Sequence, residues 1–225
     1  MSRLFNKITV SLLFLVFIIV CCLFLFSQQG WNKYYTKKLY LPPSQVTQNA
    51  VNLFSKTGLA IDFGCGCGND SAFLLQNGWT VWAIDGEPLA IEILKKRKDI
   101  SQQSLLFANS ERFEEINWNN LPKVDLFLAV NALPFCKKEK FKEVWSHLTE
   151  TIQPQGRFAG HFFGPRYQGF TDKERQLMTF LSKEEVLELF KDFDIEFFDE
   201  KEEAGKSGTG REIYSHIFEV IAKKR

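Results

Sequence analysis

The ten residues Ile61 to Asp70, IDFGCGCGND, constrain the fold more than any other stretch of the chain. Leu59, Ala60, Ile61 and Phe63 read as a buried parallel strand. Gly64, Gly66 and Gly68 let the backbone turn tightly and approach a ligand with no Cβ in the way. Asn69 or Asp70 then caps a helix that begins at Ser71. A strand, a glycine turn and a helix N-terminus in succession place backbone N–H donors at the carboxyl edge of a sheet, where open α/β folds bind ligands. The expectation is a nucleotide-type site on Asp62, Gly64, Cys65, Gly66 and Gly68.

Spacing discriminates between nucleotides. The dinucleotide fingerprint needs glycine at its first, third and sixth positions, and counted from Gly64 the sixth is Asn69. The run is instead Asp-x-Gly-x-Gly-x-Gly, starting at Asp62. Thr80 to Ile84 reads as the next strand and ends at Asp85, about 20 residues on, where a carboxylate can accept from both ribose hydroxyls. Nicotinamide-binding sheets place an acid there too, so the glycine spacing carries the distinction. The absence of a Tyr-x-x-x-Lys arrangement after the fourth strand also weighs against a nicotinamide-dependent oxidoreductase.

Beyond this motif, strands and helices alternate as a doubly wound sheet requires. Ser44 is a candidate N-cap for a helix to about Ser55, with Val46, Ala50, Val51 and Phe54 on one face. Gly86-Glu87-Pro88 opens a helix to about Lys98, apolar through Leu89, Ile91, Ile93 and Leu94. Ser104 to Ala108 is the third strand, with Asn109 and Ser110 after it, and Lys123 to Val130 is the fourth, followed by NALPFC from Asn131. A helix over Lys137 to Thr151 leads to a fifth strand at Gly156 to Gly164 and an insertion at Pro165 to Phe180. Lys183 to Lys191 is helical, with Val186, Leu187, Leu189 and Phe190 inward. Phe193 to Phe198 and Glu212 to Ala222 form an antiparallel pair, joined by a mobile acidic and glycine-rich connection, Asp199 to Arg211.

The N-terminus is a separate part. Ile8 to Phe26 is an almost unbroken apolar run that as a helix spans about 28 Å, close to the thickness of a bilayer's hydrocarbon core. A cleaved signal peptide is the competing reading, but Leu25-Phe26-Ser27 is a poor small-residue cleavage site, which favours an uncleaved anchor. The chain therefore divides into an anchor (1–27), a linker and cofactor-covering segment (28–58) and a catalytic domain (59–225). Trp31, Tyr34 and Tyr35 suit either a membrane interface or a lid. Arg3 and Lys7 before the anchor, against Lys33, Lys37 and Lys38 after it, tip the domain toward the cytoplasmic side. A formal net charge of +1 and a pI near 7.6 give no pull toward nucleic acid. The five cysteines, at 21, 22, 65, 67 and 136, form neither a disulfide framework nor a zinc pattern, so no metal is expected.

The acid-glycine run with Asp85 resembles the first motifs of class I S-adenosylmethionine-dependent methyltransferases. NALPFC, GRFAGHFFG and the MTF before the helix at Met178 to Phe190 are similar to the small tellurite-resistance type. The resemblance implies a Rossmann-like α/β fold with a doubly wound seven-stranded sheet, five parallel strands plus a C-terminal antiparallel hairpin, and the apolar run Ile8 to Phe26 adds one N-terminal transmembrane helix before it. It implies methyl transfer from S-adenosylmethionine to a small-molecule acceptor. Asp62, Gly64, Cys65, Gly66, Gly68, Asp85, Gly86, Asn109, Ser110 and Asn131 would hold the cofactor, with Asn109 where relatives often carry an Asp that contacts the adenine amine. Asn131, Pro134 and Phe135 would border the acceptor. Relatives carry two histidines near the chain end, where this sequence has Tyr214 and His216. His161 and His216 are the candidate general bases, and His147 reads as structural. A catalytically silent, membrane-held S-adenosylmethionine-binding protein is the other reading.

Overall fold

The computed structural model describes residues 34–100, 103–207 and 210–225, in two units divided after Lys38. The first contributes a helical stretch at 34–38 (α1), in which the Tyr34 and Tyr35 rings meet edge to face at 5.5 Å. The expected anchor at 8–26, and Trp31 with it, lie outside the described residues. Among those described, no helix is long and apolar enough to cross a membrane.

The second unit is a seven-stranded sheet with helices on both faces. In chain order it comprises α2 (Gln45–Val51), β1 (Leu59–Phe63), α3 (Asn69–Gln76), β2 (Thr80–Asp85), α4 (Pro88–Lys95), β3 (Leu106–Ser110) and β4 (Val124–Ala129). Then follow α5 (Lys138–Thr151), β5 (Ile152–Phe163), α6 (Asp172–Gln176), α7 (Lys183–Leu189), β6 (Phe193–Lys206) and β7 (Glu212–Lys224). The spatial order is β3-β2-β1-β4-β5-β7-β6, with the first five parallel and β7 antiparallel to both of its neighbours. Strand order reverses between β1 and β4, which opens a crevice at their carboxyl ends.

Both central strands are covered on both sides. Ala60 and Leu126, Leu128 face one core layer, under α2, α3 and α4, with Leu74, Leu75, Trp79 and Leu94. Ile61, Phe63 and Phe127 face the other, under α5 and α7, with Trp145, Leu148, Val186 and Phe190. Burial on both faces is why these strands read as near-continuous apolar runs. Trp145 sits edge-on to Phe158, Phe162 and Phe190, and each fully buried Phe contributes about 1.5–3 kcal/mol.

Several boundaries differ from expectation, each for a local reason. α3 begins at Asn69 with Gly68 as its N-cap, because a left-handed glycine (φ 77°) already turns the chain into the helix. Asp70 instead reaches back: its Oδ1 accepts from the backbone N–H (2.8 Å) and hydroxyl (2.9 Å) of Ser44, which does cap α2 as expected. α2 stops at Val51 and α4 at Lys95, both short of their expected ends. β5 starts at Ile152, its early residues absorbed in a register shift opposite β4 that places Gln155 at φ 67°. Leu187 of α7 is exposed rather than inward. The largest correction is Asp199 to Arg211. Rather than a mobile connection, residues through Lys206 extend β6 and pair with β7. Their charges are accommodated because β6 is an edge strand, and Arg166 pairs with Glu200 and Glu202 across its surface.

Candidate active site

The three motif glycines all adopt positive φ: 78° at Gly64, 53° at Gly66 and 77° at Gly68. Space is short as well. A Cβ on Gly64 would meet Ala132 Cβ at 2.4 Å, and one on Gly68 would meet Leu94 Cδ1 at 2.3 Å. The first close approach sets the glycine turn against the loop after β4. The second seats the start of α3 on α4.

Four backbone donors of this turn are engaged inside the protein. Gly64 and Cys65 N–H both donate to the Ile84 carbonyl, at 2.8 and 3.1 Å, and Gly68 N–H to the Cys65 carbonyl at 2.9 Å. Gly66 N–H donates to Asp85 Oδ2 at 2.8 Å. The Ser71 hydroxyl donates to Asp62 Oδ2 at 2.6 Å, and the Ser71 backbone N–H also serves that carboxylate. In place of a row of open N–H groups the turn presents acids. Burial, then the nearby Asp70 charge, raises the Asp62 carboxyl to about 7, with Asp85 adding to the push and Ser71 opposing it. Burial also raises Asp85, opposed by N–H bonds from Glu87 and Gly66. Each Asp85 oxygen accepts one of these N–H groups, the Glu87 bond measuring 2.9 Å, and each keeps a second lone pair for a hydroxyl donor. Such a site favours a cation with hydroxyl donors and disfavours a pyrophosphate, which would meet carboxylates instead of N–H groups.

Asn109 and Ser110 end β3 with exposed side chains, in register with Ile84 and Asp85, so the structure aligns both with the Asp85 position. Gly86 follows Asp85, but a Cβ there would find its nearest atoms at 3.8 Å, so crowding does not require this glycine. The Cys65 side chain turns into the α3 core layer, where burial first and then Asp62 and Asp85 hold its thiol well above the usual range. Its part in the turn is therefore its backbone. Cys67 and Cys136 are also buried free thiols, and burial pushes Cys136 up to about 12, so neither is poised as a nucleophile.

On the other side of the crevice Asn131 stands exposed after β4 with φ 51°, a left-handed conformation that asparagine tolerates better than most residues. Its Oδ1 is 3.1 Å from His161 Nδ1 on β5. His161 Nε2 lies 3.4 Å from Glu219 Oε2, and Lys201 Nζ donates to that same oxygen at 2.8 Å. His161 is thus brought to the strand ends where Asn131 sits. His216 is not. It is 1% exposed; its Nδ1 accepts the Arg166 backbone N–H at 3.2 Å, and its Nε2 lies 3.0 Å from Glu200 Oε1. Enclosed between Arg166 and Glu200, it is placed as a structural residue. The Glu200, Glu202 and His216 donor atoms lie within 4.8 Å of one another, but Arg166 and Lys183 already neutralise those carboxylates. His147 stacks on Trp118, consistent with a structural role.

Two residues escaped the reading of the sequence. Arg97, 5% exposed, donates to the Cys67 carbonyl (2.9 Å) and Asn69 Oδ1 (2.8 Å) and pairs with Asp99 at 2.6 Å, bracing the glycine turn from behind. It was hidden among Lys95, Lys96 and Lys98, although an arginine among lysines is a usable hint. Glu219 is the acid inside the apolar run HIFEVIA, and that mismatch is itself a signal. The insertion at 165–180 packs as an aromatic cluster: Phe163, Tyr167 and Met178, with Phe170 and Phe180 against them. Phe135, 45% exposed, meets Phe163 and Phe170 edge to face, and Thr179 N–H ties the insertion to the Pro134 carbonyl at 2.9 Å. Pro134 itself is buried, leaving Phe135 as the exposed apolar side chain of that loop.

Residues 61–158 match the methyltransferase domain family. No sequence among curated proteins matches the chain. Among solved structures it is similar to TehB from Haemophilus influenzae, with a TM-score of 0.66 and 16% identity over 80% of this chain and 61% of that one. The chain thus spans less than two thirds of TehB's length. It is also similar to the 1,6-didemethyltoxoflavin-N1-methyltransferase of Burkholderia thailandensis, with S-adenosylhomocysteine bound (TM-score 0.60, 18% identity, 80% and 76% coverage). A third similar structure is the magnesium protoporphyrin IX methyltransferase of Synechocystis with S-adenosylmethionine bound (TM-score 0.58, 17% identity, 80% and 76% coverage). At these identities the structural likeness establishes the fold.

Proposed function

We propose that the chain is a class I S-adenosylmethionine-dependent methyltransferase that methylates a small-molecule acceptor beside the ends of β4 and β5 while Ile8 to Phe26 hold it at a membrane. The observation that carries the cofactor side is the acid-lined glycine turn with its N–H groups engaged internally, which suits a sulfonium and an ammonium and not a pyrophosphate. Asp85 would hold the ribose hydroxyls, Asn109 would accept from the adenine amine with Ser110 beside it, and Gly64, Gly66 and Gly68 would allow the close backbone approach. Burial holds the proton on Asp62, and Asp70 and Asp85 supply the negative field that also holds it there. Bound there, S-adenosylmethionine provides an already activated methyl group, so this chain has to align the acceptor, exclude water and receive a proton where one is released.

The aromatic insertion and the exposed Phe135 ring support an apolar small-molecule acceptor. Two of the similar structures are named for small-molecule methylation, which supports the same class. The lysine excess after residue 27 and the free thiols Cys65, Cys67 and Cys136 support a cytoplasmic catalytic domain, where the methyl donor is available. Calorimetric titration of the full-length protein in detergent with S-adenosylmethionine, S-adenosylhomocysteine and NAD tests the cofactor; binding of NAD alone would overturn the reading. A panel of thiols, oxyanions, amines and quinone-like lipids with labelled methyl donor tests the acceptor class. Protease added to intact cells should spare the domain and digest it once the membrane is opened.

A further inference from the structure

Four strands contribute one residue each to a polar line at the acceptor side of the crevice: Asn131 after β4, His161 on β5, Glu219 on β7 and Lys201 on β6. The topology makes this line. β7 runs antiparallel between β5 and β6, which places Glu219 directly opposite His161 in the ladder. Lys201 Nζ also approaches Asp199 Oδ2 at 3.6 Å, and further along β5 Arg157 is paired with Glu196. Helix α2, QVTQNAV, packs over the same face and carries no titratable side chain. Glu219 is 5% exposed and held down to about 2, by the His161 bond first and then by Lys201, so it is a permanent acceptor.

A permanent acceptor at 3.4 Å fixes a proton on His161 Nε2 and leaves Nδ1 as the nitrogen that can gain or lose one. Nδ1 faces the Asn131 amide, which can present either an oxygen or an NH2 by turning over. With Oδ1 toward Nδ1 the ring carries both protons; with the NH2 toward Nδ1 the ring is neutral and its lone pair is held ready. We propose that His161 is the general base of the methyl transfer, that Glu219 is a positioning residue fixing the Nε2–H tautomer, and that Asn131 occupies the place the acceptor's X–H group takes. As the X–CH3 bond forms, the X–H bond breaks with its electron pair left on X. Its proton passes to Nδ1, and the C–S electron pair of the donor stays on sulfur. Asn131 Oδ1 then accepts from the new Nδ1–H.

This assignment rests on the methyltransferase reading, and the test separates the two. Full-length protein labelled with 15N-histidine and 15N-asparagine is followed by NMR at about pH 8.5 and about pH 5.5, spanning the range in which histidines change charge, with S-adenosylhomocysteine affinity measured on each variant. Wild type should show its neutral ring as the Nε2–H tautomer, with the Asn131 amide signals moving when the ring gains a second proton. In Glu219→Gln the amide can donate to Nε2, so the neutral ring should switch to Nδ1–H, while Glu219→Asp restores Nε2–H. Affinity for S-adenosylhomocysteine should stay within about twofold in both, and transfer to an acceptor found in the panel should fall by about 10²–10⁴-fold in Glu219→Gln, the usual contribution of a general base. A wild-type ring that holds both protons at both pH values or whose neutral form is Nδ1–H, or a Glu219→Gln protein whose ring state is unchanged and only its melting temperature lower, would overturn the proposal. Wild type that fails to bind S-adenosylhomocysteine would instead count against the cofactor reading.

Discussion

Replacing Asp62 with Asn removes an ionisable group from the most crowded part of the site while keeping its shape. The carboxyl is 2% exposed and is raised from an ordinary 3.8 to about 7 by burial and by Asp70 and Asp85. Native protein therefore keeps a proton that the unfolded chain has lost over the window from about pH 4 to 7. In that window stability falls as pH rises, at about 1.4 kcal/mol per pH unit, and levels off above the native value. Across pH 5 to 8 the wild type should lose about 3 kcal/mol that Asp62→Asn does not lose. The amide has a single acceptor oxygen for the two Ser71 donors, which costs about 1 kcal/mol at every pH. The variant should thus gain steadily on the wild type as pH rises. Urea unfolding of both proteins at four pH values reads the difference directly. A difference that is constant from pH 5 to 8, or that moves the other way, would refute the assignment of a raised, buried carboxyl at this position.

Asp85→Ala should weaken S-adenosylmethionine binding by about 1–3 kcal/mol in calorimetry, the range for charge-assisted hydrogen bonds, and it also strips an acceptor from Gly66 and Glu87 N–H. Gly66→Val should be worse, since it forces a β-branched residue to φ 53°; an unchanged affinity would place the pocket elsewhere. Arg97→Ala should lower stability by about 3 kcal/mol, the lower end for breaking a buried pair because Asp99 is one-third exposed, and should loosen cofactor binding from a distance. Thermal melts and titration of the variant check both effects, and a melt like wild type would remove Arg97 as the brace of the turn.

The order of elements and the location of the crevice follow from local pattern. IDFGCGCGND, the strand ending at Asp85 and the run through Leu126 and Leu128 each announce themselves within a few residues, because left-handed turns need glycine and doubly covered strands need unbroken apolar sequence. Ser44 as a cap was legible for the same reason. What could not be read was which partner each polar group finds across the sheet. Asp70 turns from its own helix to Ser44, the turn's N–H groups close on Ile84 and Asp85, and Arg97 reaches back some thirty positions to Cys67. His161 and His216 look alike in sequence, yet one faces Asn131 and the other is enclosed by Arg166 and Glu200. Sequence fixes periodicity and turn chemistry because these depend on neighbours along the chain. Hydrogen-bond partners and buried charge depend on strand order and register, and in this molecule the insertion of β7 between β5 and β6 is what sets Glu219 against His161.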